Sequence, residues 1–416
     1  MAVENNIPEG WAETSIGKVT VVESGGTPST KNSSYWGDEI PWITPRDLSS
    51  FKGVFIGKGE RSISIEGLEN SSAKLLPKNT ILFSSRAPIG YVVIAQNETA
   101  TNQGFKNLIC DEVNSHYKYF YYLMKYKSDY IERLSSGSTF SEASGTLIKS
   151  IELNLPPLQE QKAIAKVLTA FDDKIELLQA QNKTLETMAQ TIFKEWFGKY
   201  QIGDELPEGW RVGKLGDIAN LKSGYAFKSK DFVEESSKKA LKIKDLKGDG
   251  KVSLNAVSCV SNDVTKLSRV QYFRLKEGDI VLAMSGNTTG KIGVIPPHSN
   301  EVYLNQRVGK FFMIKQDLNS FLYSFLMSGN YEEKILKMGY GSAQPNISPS
   351  QIENIDIIYP NEEKLVSFLN ISNPIFNKVL DNNNQIQSLT ETRDTLLPKL
   401  MSGQVRVNNI KQTADA

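Results

Sequence analysis

The sequence predicts an α+β fold: two homologous strand-rich domains tied to a coiled coil of two long helices. Two heptad patterns and one long internal repeat carry that reading. Between Glu160 and Phe197 the side chains Ile164, Leu168, Phe171, Ile175, Leu178, Asn182, Leu185, Ala189, Ile192 and Trp196 recur in steps of four and three. This is the seam of a coiled-coil helix with one polar member, Asn182. A shift of 201 positions finds the same register in Leu369, Ser372, Phe376, Val379, Asn383, Ile386, Thr390, Arg393 and Leu397, again with an Asn in the matching layer. Each helix can therefore cover an apolar stripe on the other. The two Asn residues are assigned to fixing register, the usual return for a polar group in a seam; the alternative is that both are solvated surface positions.

The repeat extends through the rest of the chain. Ile7-Pro8-Glu9-Gly10-Trp11 returns as Leu206-Pro207-Glu208-Gly209-Trp210, Ile16-Gly17 as Leu215-Gly216, and Ser24-Gly25 as Ser223-Gly224. Pro45 to Leu48 is echoed by Ile243 to Leu246, Leu76 to Leu82 by Leu275 to Val281, and Asn102-Gln103 by Asn305-Gln306. Ile148, Ile151, Leu153 and Pro156 map onto Ile352, Ile355, Ile357 and Pro360. A period near 200 over 416 residues is a duplication and not a solenoid. It divides the chain into a first domain 1-157, a central helix region 158-203, a second domain 204-360, a distal helix region 361-405 and a tail 406-416.

Within each half the local signals are short strands between Gly-, Ser- and Asn-rich loops. Lys18 to Glu23, Ile81 to Phe83 and Tyr91 to Ala95 are β-branched and bounded by turn residues, and Asp279 to Ala283 and Lys291 to Ile295 repeat them. Tyr117 to Tyr126 and Ser320 to Met327 read as helices with one apolar, aromatic side. Pro156-Pro157 and Pro360 open the long helices. Asn373-Pro374 has the form of an N-cap followed by Pro at the first helical position, so a break is expected near residue 373, with a similar joint at Asp172-Asp173.

Composition excludes several classes. Apolar content of 39% with 23% charged residues describes a globular chain too long for one ordinary core. No run of 18 apolar residues is present and Met1 to Gly10 lacks a basic segment followed by an apolar one, so a cytoplasmic protein with no membrane partner is expected. Cys110 and Cys259 fall in different halves and offer no disulfide framework. Net charge is +1, so a polyanion would have to be held by local patches.

Catalytic signals are missing. His116 and His298, the only two histidines, are not at equivalent repeat positions and have no Cys or second His beside them, which argues against a metal site or a Ser-His-Asp arrangement. There is no GxxxxGK[ST] loop. Asp356, Glu362 and Lys364 can be forced into a nuclease-like pattern, yet acidic side chains in the first turn of a helix are favoured by the macrodipole alone. Asn154-Leu155-Pro156-Pro157 has the wrong spacing for the tetrad of amino-methylating enzymes and lacks its aromatic residue. No catalytic residue and no cofactor are assigned.

With these residues in hand, the chain resembles the specificity subunits of type I restriction–modification systems. The resemblance rests on Pro8-Glu9-Gly10-Trp11, Ser24-Gly25-Gly26-Thr27-Pro28-Ser29, Tyr35-Trp36-Gly37, Ile40-Pro41-Trp42-Ile43, Thr101 to Phe105, Pro156 to Gln161 and Leu396 to Gly403, in that order along nearly the whole chain. It implies two target-recognition domains held apart on an antiparallel pair of helices, with a pseudo-two-fold. It also implies double-stranded DNA as ligand, two methyltransferase subunits that bind S-adenosylmethionine, and motor–nuclease subunits. The second half departs from the first, with Tyr225-Ala226-Phe227 in place of Gly26-Thr27-Pro28. Two other classes stay open: a coiled-coil adaptor that binds protein and not DNA, and a fused DNA methyltransferase.

A helical spacer of ~25 residues at ~1.5 Å each spans ~38 Å, close to the ~34–36 Å between half-site centres one DNA turn apart. Four residues added near Lys183 should lengthen it by ~6 Å. If the halves read different sequences, recurring residues are scaffold and divergent loop residues are readers. The candidates are Thr27, Ser29, Lys31, Ser85, Arg86, Lys106, Ser138 and Thr139 in the first half. In the second they are Lys228, Lys230, Lys242, Lys244, Ser285, Asn287, Thr288, Arg307 and Gln344. Arg86 and Arg307 carry the fork that matches guanine O6 and N7, while Asn287 and Gln344 carry the amide that matches adenine N6 and N7. Nine Lys against five acidic residues between Lys222 and Lys251 form a basic patch suited to phosphates.

Overall fold

In a computed structural model, the described residues are 7–86, 88–135, 142–247, 250–254, 257–315, 317–328, 331, 335 and 346–407. Two compact units emerge, Met1–Glu176 with Leu389–Ala416, and Leu177–Ser388. Both long helices are shared out. The central helix (Leu158–Phe197) gives its first part to unit 1 and the remainder to unit 2, and the distal helix (Glu362–Met401) does the reverse.

Unit 1 contains β1 (Ala12–Ser15), β2 (Thr20–Ser24), β3 (Trp36–Ile43), β4 (Phe55–Ile56), β5 (Arg61–Ile63), β6 (Ile81–Ser84), β7 (Val92–Ala95), β8 (Ala100–Thr101), β9 (Phe105–Cys110) and β10 (Glu152–Leu155). The strands form a five-stranded sheet of order β2-β9-β6-β7-β4, a three-stranded sheet β5-β3-β8 and a ribbon β1-β10. Among the described residues of this unit, only the β4–β7 and β3–β8 pairs are parallel. Ile81 and Phe83 of β6 pack with Phe120, Tyr121 and Met124 of the helix Tyr117–Ser135, whereas Leu82 packs with Ile43, Leu48, Ile56 and Leu76 on the opposite face. Alternate residues entering two separate cores is the strand period of two, and it explains why the whole of β6 is apolar but for Ser84.

Unit 2 contains β11 (Arg211–Lys214), β12 (Ala219–Ser223), β13 (Phe232–Val233), β14 (Lys238–Leu241), β15 (Gly250–Lys251), β16 (Ser258–Val260), β17 (Ile280–Ala283), β18 (Ile292–Val294), β19 (Glu301–Leu304), β20 (Val308–Met313) and β21 (Asp356–Tyr359). Its sheets run β12-β20-β17-β18-β15, β13-β16-β14-β19 and β11-β21. Strand for strand the main sheet repeats the order of unit 1, with β15–β18 parallel as β4–β7 is. Ile280 and Leu282 join the core beneath the helix Asn319–Met327, and Val281 and Ala283 the core on the other face. The duplication therefore extends to the alternation of single side chains.

Two repeated glycine positions show why the repeat kept them. Gly10 and Gly209 have φ of +79° and +75°. They occupy the third position of turns closed by Trp11 N–H to Pro8 O and Trp210 N–H to Pro207 O, both 3.0 Å. At Gly25 and Gly224 the cause is crowding. A Cβ would stand 2.0 Å from the Asn102 carbonyl oxygen and 2.2 Å from that of Leu304, respectively.

The two long helices pair within each unit, and antiparallel. In unit 1, Asp172 holds Arg393 and Leu168 shares a core with Leu400, while Glu160 holds Arg406 just past the end of the distal helix. In unit 2, Asn182 meets Asn383, and further along Phe197 lies against Phe368 with ring centroids 5.2 Å apart. The residue number rises on one helix as it falls on the other. Asn182 Nδ2 donates to Asn383 Oδ1 and Asn382 Nδ2 donates to Asn182 Oδ1, each at 2.8 Å. The amide cluster thus has a third member, Asn382, fully buried and outside the expected seam.

Three expectations need correction. Neither helix breaks: the distal helix runs through Pro374 and the central one through Asp172. Pro374 and Asn370, whose carbonyl the proline cannot bond, are both exposed, so water can replace the missing bond on the wet side. Asp172 is buried and accepts from Tyr122 Oη at 2.6 Å, besides pairing with Arg393. It is a packing residue and not a cap. The strand expected from Lys18 begins at Thr20, because Ile16–Val19 forms one helical turn closed by the Thr20 hydroxyl on Ile16 O at 2.8 Å. The helix expected to end at Tyr126 continues to Ser135.

Replacing Asn182 alone with Leu strands the amides of Asn382 and Asn383 and should cost about 1–3 kcal/mol in urea unfolding, a loss that Leu at all three positions should recover. Arg393→Met leaves the Asp172 carboxylate buried without its cation and should cost about 3–5 kcal/mol in the same measurement.

Candidate nucleic-acid interface

In unit 1 the loop that leaves β2 is held by two indoles. Trp42 Nε1 donates to Gly26 O at 3.0 Å and Trp36 Nε1 to Ser29 O at 3.2 Å. The rings meet edge to face 5.1 Å apart, and the Arg61 guanidinium lies 3.4 Å from the Trp36 ring centroid. So fastened, the loop exposes Thr27, Ser29 and Lys31. The Thr27 hydroxyl bonds the Gln103 side chain, on the turn in which Asn102 Oδ1 accepts from Gly104 N–H at 2.9 Å. Against that turn lies the end of β6, where Ser85 N–H donates to Gly104 O at 2.7 Å and Ala143 N–H to Ser85 O at 2.9 Å.

Charge gathers at this junction. Glu142 accepts from Lys106 Nζ at 3.1 Å and from Arg86 Nη1 at 3.4 Å. Lys106 is nearly buried, while Arg86 keeps 41% of its side chain exposed. Thr27, Ser85, Arg86 and Lys106 thus come together around the Asn102–Gly104 turn, with Ser29 and Lys31 further along the loop. Ser85 is fully buried and its hydroxyl has no partner. A backbone crossing point is its visible role. Ser138 and Thr139 lie outside the described residues.

Unit 2 builds the same junction with other side chains. Met284 N–H donates to Arg307 O at 3.0 Å and Ile347 N–H to Met284 O at 2.9 Å, matching the pair of bonds at Ser85. Asn305 N–H bonds Leu241 O at 3.2 Å as Asn102 N–H bonds Ile43 O at 3.1 Å. Arg307 is exposed, and its Nη1 donates to Asn346 Oδ1 at 3.1 Å. A cavity of about 320 Å³ opens here, lined by Ser223, Met284, Gln306, Arg307, Asn346, Ile347, Ser348, Pro349 and Gln351. Ser285 is buried at its edge in a bridge with Asn346. Asn287 is exposed on the following turn, and Thr288 has a buried hydroxyl with no partner. Gln344 lies outside the described residues.

The lysines of the predicted basic patch divide. Lys228, Lys230 and Lys244 are exposed. Lys242 sits 3.8 Å above the Phe232 ring, where burial and then the charge of Lys244 lower its pKa. Asp245 accepts Lys242 N–H at 2.8 Å, and burial raises its carboxyl above the ordinary range. Lys242 is thus tied into the fold, while Lys228, Lys230 and Lys244 present their charge to solvent.

Sequence reasoning passed over Glu142 and Asn346, and set Gln103 with Asn102 among the recurring residues that support the turn or contact backbone. The signal was available in the N-cap serines: Ser144 Oγ accepts Leu147 N–H and Ser348 Oγ accepts Gln351 N–H, which aligns Glu142 with Asn346 two residues upstream. Elsewhere the chemistry is quiet. Burial pushes the Cys110 thiol up to about 12, which keeps it protonated and inert. Among the described residues no three His, Cys, Asp or Glu side chains gather as metal donors, and no helix is long and apolar enough to cross a membrane.

What each junction offers is a guanidinium fork beside an amide or hydroxyl, with exposed lysines elsewhere in the same unit, a donor set suited to base edges and phosphates. The family model described as the type I restriction modification DNA specificity domain matches twice, over residues 8–187 and 207–389. The type I restriction enzyme MjaIX specificity subunit of Methanocaldococcus jannaschii is 35% identical over 423 residues, covering 97% of this chain and 95% of its own. The MjaVIII specificity subunit of the same organism is 30% identical over 319 residues, 73% of each chain. The crystal structure of the type I restriction–modification system S subunit from M. genitalium covers 96% of this chain and 98% of its own at 20% identity, with a TM-score of 0.58, a likeness of fold. With a domain matched in both halves and a relative similar from end to end, the chain belongs to the type I restriction–modification DNA specificity family.

Proposed function

We propose that each unit reads one half of a bipartite DNA site, and that the paired helices set the gap and dock two methyltransferase subunits, to which motor–nuclease subunits are added. The chain itself performs no catalysis in this reading. S-adenosylmethionine belongs to the methyltransferase partners, and the setting is the cytoplasm. The observation that carries the proposal is the duplicated junction: identical backbone bonds at Ser85 and Met284 support different side chains. One scaffold with two sets of loop residues is what reading two different half-sites requires. The exposed arginines and lysines supply local positive charge on a molecule whose net charge is only +1, so the isolated chain should hold DNA weakly and the partner subunits should complete the clamp.

The readers remain those of the two junctions and their loops: Arg86, Thr27, Ser29 and Lys31 in unit 1, and Arg307, Asn287, Lys228, Lys230 and Lys244 in unit 2. Lys106 acts behind Arg86 and Lys242 behind Phe232, in keeping with their ion pair and ring contact.

Methylome sequencing in a host that carries the methyltransferase subunits tests both parts. Arg307→Ala should relax one position of one half-site, a loss of about 1–3 kcal/mol of discrimination, and leave the other half-site as it was. A heptad inserted after Lys183, with its partner heptad inserted at the facing Asn383, keeps the seam and adds ~10 Å of helix. The half-sites should then stay the same while the gap grows by about three base pairs at ~3.4 Å per step. A contiguous motif, or a gap that ignores the paired insertion, would refute the reading.

A further inference from the structure

The position two residues before the N-cap serine of each unit, Glu142 in one and Asn346 in the other, carries an oxygen acceptor aimed at an arginine of its junction. The frames match. Ala143 N–H bonds Ser85 O and Ile347 N–H bonds Met284 O, both at 2.9 Å. What differs is the acceptor and where its cation stands. Glu142 takes Arg86, which follows β6, while Asn346 takes Arg307, which precedes β20. Charge is balanced as well. Where unit 1 has Lys106 on β9, the corresponding place on β20 is Gly309, with no side chain, and there the acceptor is a neutral amide. The extra carboxylate accompanies the extra ammonium.

Resting on the reading that the junctions face DNA, we infer that Glu142 and Asn346 are positioning residues that set base specificity indirectly. Each fixes one nitrogen of a guanidinium, half-exposed at Arg86 and exposed at Arg307, and so aims the rest of the fork. A fork held at one nitrogen retains a bidentate donor edge for a base, and a fork released from its acceptor samples many directions and loses that geometry. Glu142 has a second task, to neutralise the nearly buried Lys106, so that of its two cations Arg86 is the one that presents charge outward.

Glu142→Gln keeps the shape and one acceptor oxygen but removes the charge, and Asn346→Leu removes the acceptor outright. Full-length variants with their methyltransferase subunits are read by methylome sequencing, with thermal melting of the purified chains alongside. The expected result is a roughly ten-fold loss of discrimination at a single position, for Glu142→Gln in one half-site and for Asn346→Leu in the other, with the gap unchanged. Arg86→Lys should relax the same position as Glu142→Gln, and Asn346→Asp, which keeps an acceptor, should preserve the second half-site. Well-folded variants with both half-sites intact overturn the inference. So does relaxation spread evenly over both halves with a lowered melting temperature, which marks a structural role. A contiguous motif in the unaltered protein would instead overturn the bipartite reading itself.

Discussion

Everything in this architecture depends on the pairing of the two long helices. Each is amphipathic over 40 residues and would expose its seam if alone. Because both are divided between the units, every unit draws its core from stretches far apart in the chain. Ile164 and Leu168 share a core with Leu400 and Met401, as Phe193 and Phe197 do with Leu365 and Phe368. Unit 1 cannot complete its apolar interior until Leu400 and Met401 are in place, nor unit 2 until Leu365 and Phe368 are. Polar pairs then choose among the registers that apolar packing permits. An ion pair at Asp172 and Arg393 does this in unit 1, and an amide cluster at Asn182, Asn382 and Asn383 in unit 2.

The strand scaffold answers a different demand. On the proposed reading, two halves that take unlike sequences must keep their backbone and change their loops, which requires a frame indifferent to the loop side chains. The doubly covered strands β6 and β17 supply it, since alternate residues lock into separate cores on the two faces. The backbone bonds at Ser85 and Met284 then fix where the loops depart without using any side chain. Variation is free where the frame ends.

Electrostatics at the junctions stay local. Arg86, Lys106 and Glu142 share charge within a few ångströms, and Arg307 rests on a neutral amide. With a net charge of +1 the molecule has no strong general attraction for a polyanion, so on the proposed reading the choice of sequence falls to geometry at a few guanidinium groups.

The duplication, the helices, the core strands and the facing of Asn182 with Asn383 could be read from the sequence, because periodicity and repetition are properties of order along the chain. The unbroken course through Pro374 could not, since it depends on which side of the helix meets water. Nor could Asn382: an α-helix turns every 3.6 residues, so a seam counted in heptads drifts and brings neighbouring positions inward. The same drift buries Asp172 beside Phe171 and Phe193 beside Ile192. The N-cap serines align Glu142 with Asn346 along the chain, but their contacts with arginine became visible only in three dimensions. Their meaning lies in the distance to an arginine that is 56 residues away in one half and 39 in the other, and only the folded sheet fixes that separation. Local order along the chain determined the elements and their repeat; packing decided which side chains meet.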